Sequence, residues 1–129
     1  MRRAAAIWLR GAAADQEQTE SLVGVVRAQS WLADRLAAPD ERRAAATEAV
    51  RAGQWCEQRD PESATCAYWL AVALGVQARE RRSTALDGLD EMIARLDRAI
   101  RLDPEQDFAG PERVASWVRL RAPGWPTGP

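Results

Sequence analysis

Apolar residues recur at three- and four-residue steps through most of this chain, a spacing that predicts helices rather than strands. Between Asp15 and Ala38 they fall at Leu22, Val25, Val26, Leu32 and Leu36, interrupted by Gln29. Asp15 and Gln18 have the spacing of a capping box at the start of that helix. Pro39-Asp40 closes it and opens a second helix, Glu41 to Gln58, with Ala45, Ala49, Ala52, Trp55 and Cys56 expected along one face. Gly53 is expected to weaken this helix mildly, and Asp60-Pro61 stops it. The third segment, Ser63 to Arg79, is apolar nearly all round, which marks a central helix covered on both sides. A polar link, Arg81 to Ala85, leads to a fourth helix, Asp87 to Leu102, with the stripe Leu89, Met92, Ile93, Leu96, Ala99 and Ile100. Asp103-Pro104 ends it. After a loop, Pro111 suits the first turn of a fifth helix whose apolar face carries Val114, Trp117 and Val118. Ala122 to Pro129 is too rich in Pro and Gly to be regular. No strand alternation appears. The pattern predicts an all-α protein of about five helices in antiparallel hairpins, occupying 15–121. Before it stands an N-terminal segment, 1–14, poorly structured or helical, and after it a tail, 122–129.

Composition agrees with helix and narrows the chemistry. The 129 residues suffice for one domain, and 47% are hydrophobic, enough to bury a core. Alanine dominates while Phe and Tyr occur once each, so the six Trp must supply much of the bulky contact area. The 18 basic and 19 acidic residues nearly cancel, which argues against nucleic acid as a partner. There is no histidine, which removes His-based triads, metal ligands and pH switches together. No phosphate loop, nucleophile motif or metal-ligand spacing is present. The expectation is a protein that is not an enzyme and carries no cofactor. No stretch approaches the roughly 20 apolar residues that span a bilayer. At the start of the chain the apolar run Ala4 to Leu9 is shorter than the roughly 7–15 residues of an export signal. No lipid-modifiable cysteine follows it.

Two helix ends echo each other: Trp55-Cys56-Glu57-Gln58-Arg59-Asp60-Pro61 and Ala99-Ile100-Arg101-Leu102-Asp103-Pro104. Each leads through an acidic residue into a new segment. This resembles the tetratricopeptide repeat, with Leu70-Ala71 where that family has its Leu-Gly pair and small residues at Ala71 and Ala99. The spacing from Pro61 to Pro104 is 43 residues, against roughly 34 in the repeat. The excess falls around Arg79 to Gly88. The run Ala67-Tyr68-Trp69-Leu70-Ala71-Val72-Ala73-Leu74-Gly75, the ending Leu102-Asp103-Pro104, the start Gly110-Pro111-Glu112-Arg113 and the close Arg121-Ala122-Pro123-Gly124-Trp125-Pro126 together resemble the T-component of TRAP transporters. Members of that family are periplasmic tetratricopeptide-like lipoproteins. The resemblance implies a periplasmic or envelope location, association with a solute-binding protein, oligomers with a ligand-accessible pore, and a small apolar ligand. It carries over no catalytic residue. The other reading is a cytoplasmic tetratricopeptide scaffold that holds a peptide in the groove of its first helices.

Candidate sites follow from residue type and place. Cys56 and Cys66 flank the turn at Pro61, where a helical hairpin can bring Cα atoms within about 7 Å, as a disulfide requires. Such a bond implies an oxidising compartment. The alternative is two buried thiols that pack as small hydrophobes. Tyr68 and Trp69 are adjacent and point to different faces. Either both are core, or one lines a groove for a ligand or partner. Trp117 and Trp125 flank the Pro-rich end, as a pocket rim or as a cap on the last hairpin. Arg113 suits an anionic ligand, or pairs with Glu112 or Asp107. The acids Asp87, Asp90, Glu91, Asp97 and Asp103, interleaved with Arg95, Arg98 and Arg101, read as a solvated face of ion pairs.

Overall fold

The computed structural model describes the backbone at residues 2–81 and 85–105, and side chains at 17–81 and 87–105. Among the described residues all regular structure is helical: α1 Arg2–Arg35, α2 Pro39–Arg59, α3 Ala64–Glu80 and α4 Ala85–Leu102. The fifth helix expected from Pro111, and the tail after it, lie outside the described residues. No described helix is long and apolar enough to cross a membrane.

The helix ends follow from local chemistry. α1 begins at Arg2, so it takes in residues 2–14 of the N-terminal segment, and Asp15 lies inside the helix rather than capping it. The alanines at 4–6 and 12–14 are the best helix formers, and they outweigh a single Gly11 and a capping signal. α2 starts with Pro39 in the first turn, after Ala38 in extended conformation (φ −76°, ψ 126°). Asp40 and Glu41 in that turn suit the positive end of the helix dipole. Ser63 caps α3 by accepting the Cys66 N–H at 3.1 Å. α4 closes with the Asp103 N–H on the Ala99 carbonyl, and Asp103 Oδ1 then accepts the Glu105 N–H. The connection after α3 is shorter than its polar sequence suggests. α3 continues through Glu80 and α4 resumes at Ala85, each reaching one or two residues past the bounds expected from the sequence.

Successive helices pack as antiparallel hairpins. Arg42 at the start of α2 meets Glu80 at the end of α3, while Cys56 and Cys66 meet at the opposite end. α1 also lies along α3 and runs parallel to it, since Arg27 reaches Trp69 and Asp34 reaches Arg79. α3 therefore touches α1, α2 and α4, the central place its all-round apolar character predicts. The core gathers Val26 from α1, Ala49 and Ala52 from α2, Leu70, Ala71 and Leu74 from α3, and Met92, Leu96 and Ala99 from α4.

Small residues set the helix spacing. A Cβ on Gly53 would come 2.9 Å from Leu70 Cδ1 and 3.1 Å from Leu70 Cα. Gly53 is thus a point of close approach between α2 and α3, a stronger role than the mild weakness expected of it. Three apolar residues read as core-facing are outside: Val25 is 43% exposed, Leu32 36% and Trp55 61%. The buried seam of α2 is Ala45, Ala49, Ala52 and Cys56. Trp55 precedes Cys56 by one position, about 100° of helix turn, which carries it off that seam.

Candidate functional site: a tryptophan- and arginine-lined groove between α1 and α3

The parallel contact of α1 with α3 leaves a groove of about 730 Å³ on one side of the seam. On α1 it is bounded by the small residues Gly24 and Ala28 and by Arg27 and Trp31. On α3 the wall is Trp69, Val72 and Val76. A Cβ placed on Gly24 would meet nothing within 4 Å, so this stretch of the groove is open space.

Tyr68 and Trp69 part company here. Tyr68 is buried in the core, whereas Trp69 is half-buried on the groove wall. Their rings still meet edge-to-face, with centroids 5.2 Å apart and planes at 64°. The Arg27 guanidinium lies over the Trp69 ring, 5.1 Å from its centroid. Trp31 is 55% exposed, with Arg35 over its ring at 4.2 Å. The acid of the groove, Asp34, is engaged by Arg79 at 2.8 Å, and more loosely by Arg35 at 3.8 Å. Ser30 lies at the base, 6% exposed, and its Oγ has no hydrogen-bond partner.

Sequence periodicity singled out Trp69 but not Arg27, Ser30 or Trp31. The signal was present as Arg27, Trp31 and Arg35 at successive four-residue steps, which stack on one face of a helix. That face lies apart from the Leu22–Val26–Ala33 stripe, so a reading that follows apolar periodicity passes over it. The other candidates, Arg113, Trp117 and Trp125, lie outside the described residues.

Cys56 and Cys66 are joined as a disulfide with Cα atoms 5.5 Å apart, and both residues are buried. Cys56 Sγ lies 3.9 Å from the Thr19 carbonyl oxygen of α1. That is a packing contact, since a disulfide sulfur has no proton to donate. Around this turn Arg98 donates to the Pro61 carbonyl at 2.6 Å. Arg95 Nε sits 2.7 Å from Glu57 Oε2. The orientation of that pair is not that of a hydrogen bond, so it acts as an ion pair only. The basic residues of α4 thus reach across to α2 and its turn, rather than only pairing with the acids of their own helix. Among the described residues no group of three or more acids and cysteines is arranged to hold a metal ion. No protein-family model matches the chain, and no curated protein matches it.

Proposed function

We propose that this chain is a non-catalytic binding protein built from tetratricopeptide-like hairpins, an accessory of the TRAP T-component type that associates with a solute-binding protein. The observation that carries the reading is the apolar exposure of α1 on the side away from α3: Val25 and Leu32 both stand in solvent, two turns apart. Exposed apolar residues grouped in this way mark interaction surfaces. Leu32 continues into a shallow outer groove with Leu36 and Ala44, rimmed by Glu41 and Glu48, an apolar centre with a polar edge. The buried Cys56–Cys66 disulfide supports an oxidising compartment over the cytoplasm. Small residues at the helix contacts, Gly53 against Leu70 and Gly88 against Ala78, are in keeping with the repeat resemblance.

The test is calorimetric titration with a purified TRAP solute-binding protein. Association is expected for the parent chain, with at least a ten-fold loss in Val25→Glu/Leu32→Glu. Absence of association by the parent, or a variant that binds like the parent, rejects the reading.

A further inference from the structure

We infer that the α1/α3 groove is a binding seat for a small planar aromatic carboxylate. The inference rests on the reading of the chain as a binding protein and assigns a ligand to a surface other than the Val25–Leu32 side. The charge of the groove is what singles out an acid. Asp34 is already neutralised by Arg79. Arg27 has no carboxylate partner among the described residues and is held only against the face of Trp69. A guanidinium in that state presents its donor fork to a carboxylate, the geometry at which Arg outperforms Lys.

The walls single out a flat apolar body. Trp31 and Trp69 offer ring surfaces, and Val72 and Val76 line the α3 side with Trp69. Gly24 and Ala28 withdraw the α1 wall, and the space over Gly24 is empty. Size separates a small ligand from a protein segment. The α3 wall runs from Trp69 to Val76, about 10 Å at the helix rise. That length fits a fused two-ring acid, and a groove so short offers far less surface than the roughly 800 Å² per partner of a stable protein interface. The unpaired Ser30 hydroxyl lies at the base of the same groove, a polar group that the protein itself leaves unsatisfied.

The experiment uses the oxidised full chain with 2-naphthoate and its uncharged match 2-naphthamide. Affinity is read by calorimetry and the site by the indole N–H resonances. Naphthoate is expected to bind at least ten-fold more tightly than naphthamide and to shift the Trp31 and Trp69 signals. Arg27→Gln should erase that preference while leaving naphthamide binding within two-fold. Gly24→Leu should fill the groove and remove binding of both probes, with helicity and thermal midpoint kept because the added side chain enters open space. Equal affinity for the two probes, no binding of naphthoate, shifts confined to other Trp residues, or parent-like binding by Gly24→Leu each overturn the inference. Gly24→Leu should still associate with a solute-binding protein, and Val25→Glu/Leu32→Glu should still bind naphthoate. Failure of the groove and failure of the partner reading therefore give different results.

Discussion

The α2–α3 hairpin is fastened at both ends, by unlike means. At the Pro61 turn the fastening is covalent and buried: the Cys56–Cys66 bond, the Ser63 cap on the Cys66 N–H, and the Arg98 contact to the Pro61 carbonyl. At the far end it is electrostatic and partly solvated. Arg42 Nε reaches both Glu80 carboxylate oxygens at 3.3 Å, while its Nη1 donates to the Leu36 and Ala37 carbonyls at 3.2 and 2.7 Å. Arg79 bridges to Asp34 of α1, and Arg81 donates to Thr47 of α2 at 2.9 Å. The first end constrains the unfolded chain as well as the folded one. The second acts only in the folded state and weakens with ionic strength. Along the groove α1 meets α3 through the Asp34–Arg79 ion pair and Arg27 over Trp69, contacts without a covalent link.

The largest expected effect comes from breaking the covalent end. Replacing both cysteines, Cys56→Ala with Cys66→Ala, is expected to cost about 3 kcal/mol for a loop this short. The thermal midpoint should fall by about 10 °C. Thermal unfolding followed by circular dichroism measures it, and reductant should bring the parent down to the variant and leave the variant unmoved. A cost below about 1 kcal/mol, the scale of one hydrogen bond, would mean that the Ser63 cap and Arg98 already fix the turn.

Between the two ends the seam itself can be tested. Gly53→Ala adds one methyl where Leu70 leaves no room. The expected loss is about 2 kcal/mol from overpacking, despite the better helix propensity of Ala. Leu70→Ala in the same chain should relieve part of that loss, so a double-mutant cycle on the pair should show favourable coupling. Strict additivity would mean that the cost of Gly53→Ala does not arise from its contact with Leu70.

Most of this architecture is legible in the sequence, for reasons that also explain the exceptions. Helix type and central order follow from the apolar spacing of α3 and α4, where Leu70, Leu74, Met92, Leu96 and Ala99 keep one face over several turns. The breaks at Pro39 and Pro61 follow from proline chemistry. The start of α1 does not, because alanine carries no apolar pattern of its own, and a long Ala-rich lead continues a helix past a plausible cap. The helix-packing role of Gly53 is also hidden, since a glycine in a helical pattern looks the same whether it is tolerated or required. The groove is the least legible element. Trp69 stands out as a large aromatic on the central helix, but Arg27 and Trp31 acquire meaning only once α1 is laid parallel to α3, a long-range fact that no local period encodes.

The smallest effect concerns the charged end, and it sharpens the contrast most directly. Arg42→Ala removes the bond to Glu80 together with the donor to the Leu36 and Ala37 carbonyls, in the link between α1 and α2. A loss of about 1–2 kcal/mol is expected, the scale of a charge-assisted hydrogen bond in a partly buried setting. Amide exchange should then quicken near Glu80 and Arg81 while the amides around Ser63 and Cys66 keep their protection. Salt gives the second reading. At about 1 M salt, where the screening length falls to about 3 Å, the difference between Arg42→Ala and the parent should shrink to well under half, whereas the cost of losing the disulfide should stay as it was. If salt leaves the Arg42→Ala cost unchanged, the side chain acts through its carbonyl contacts and its packing rather than its charge. The two ends would then differ in strength but not in kind.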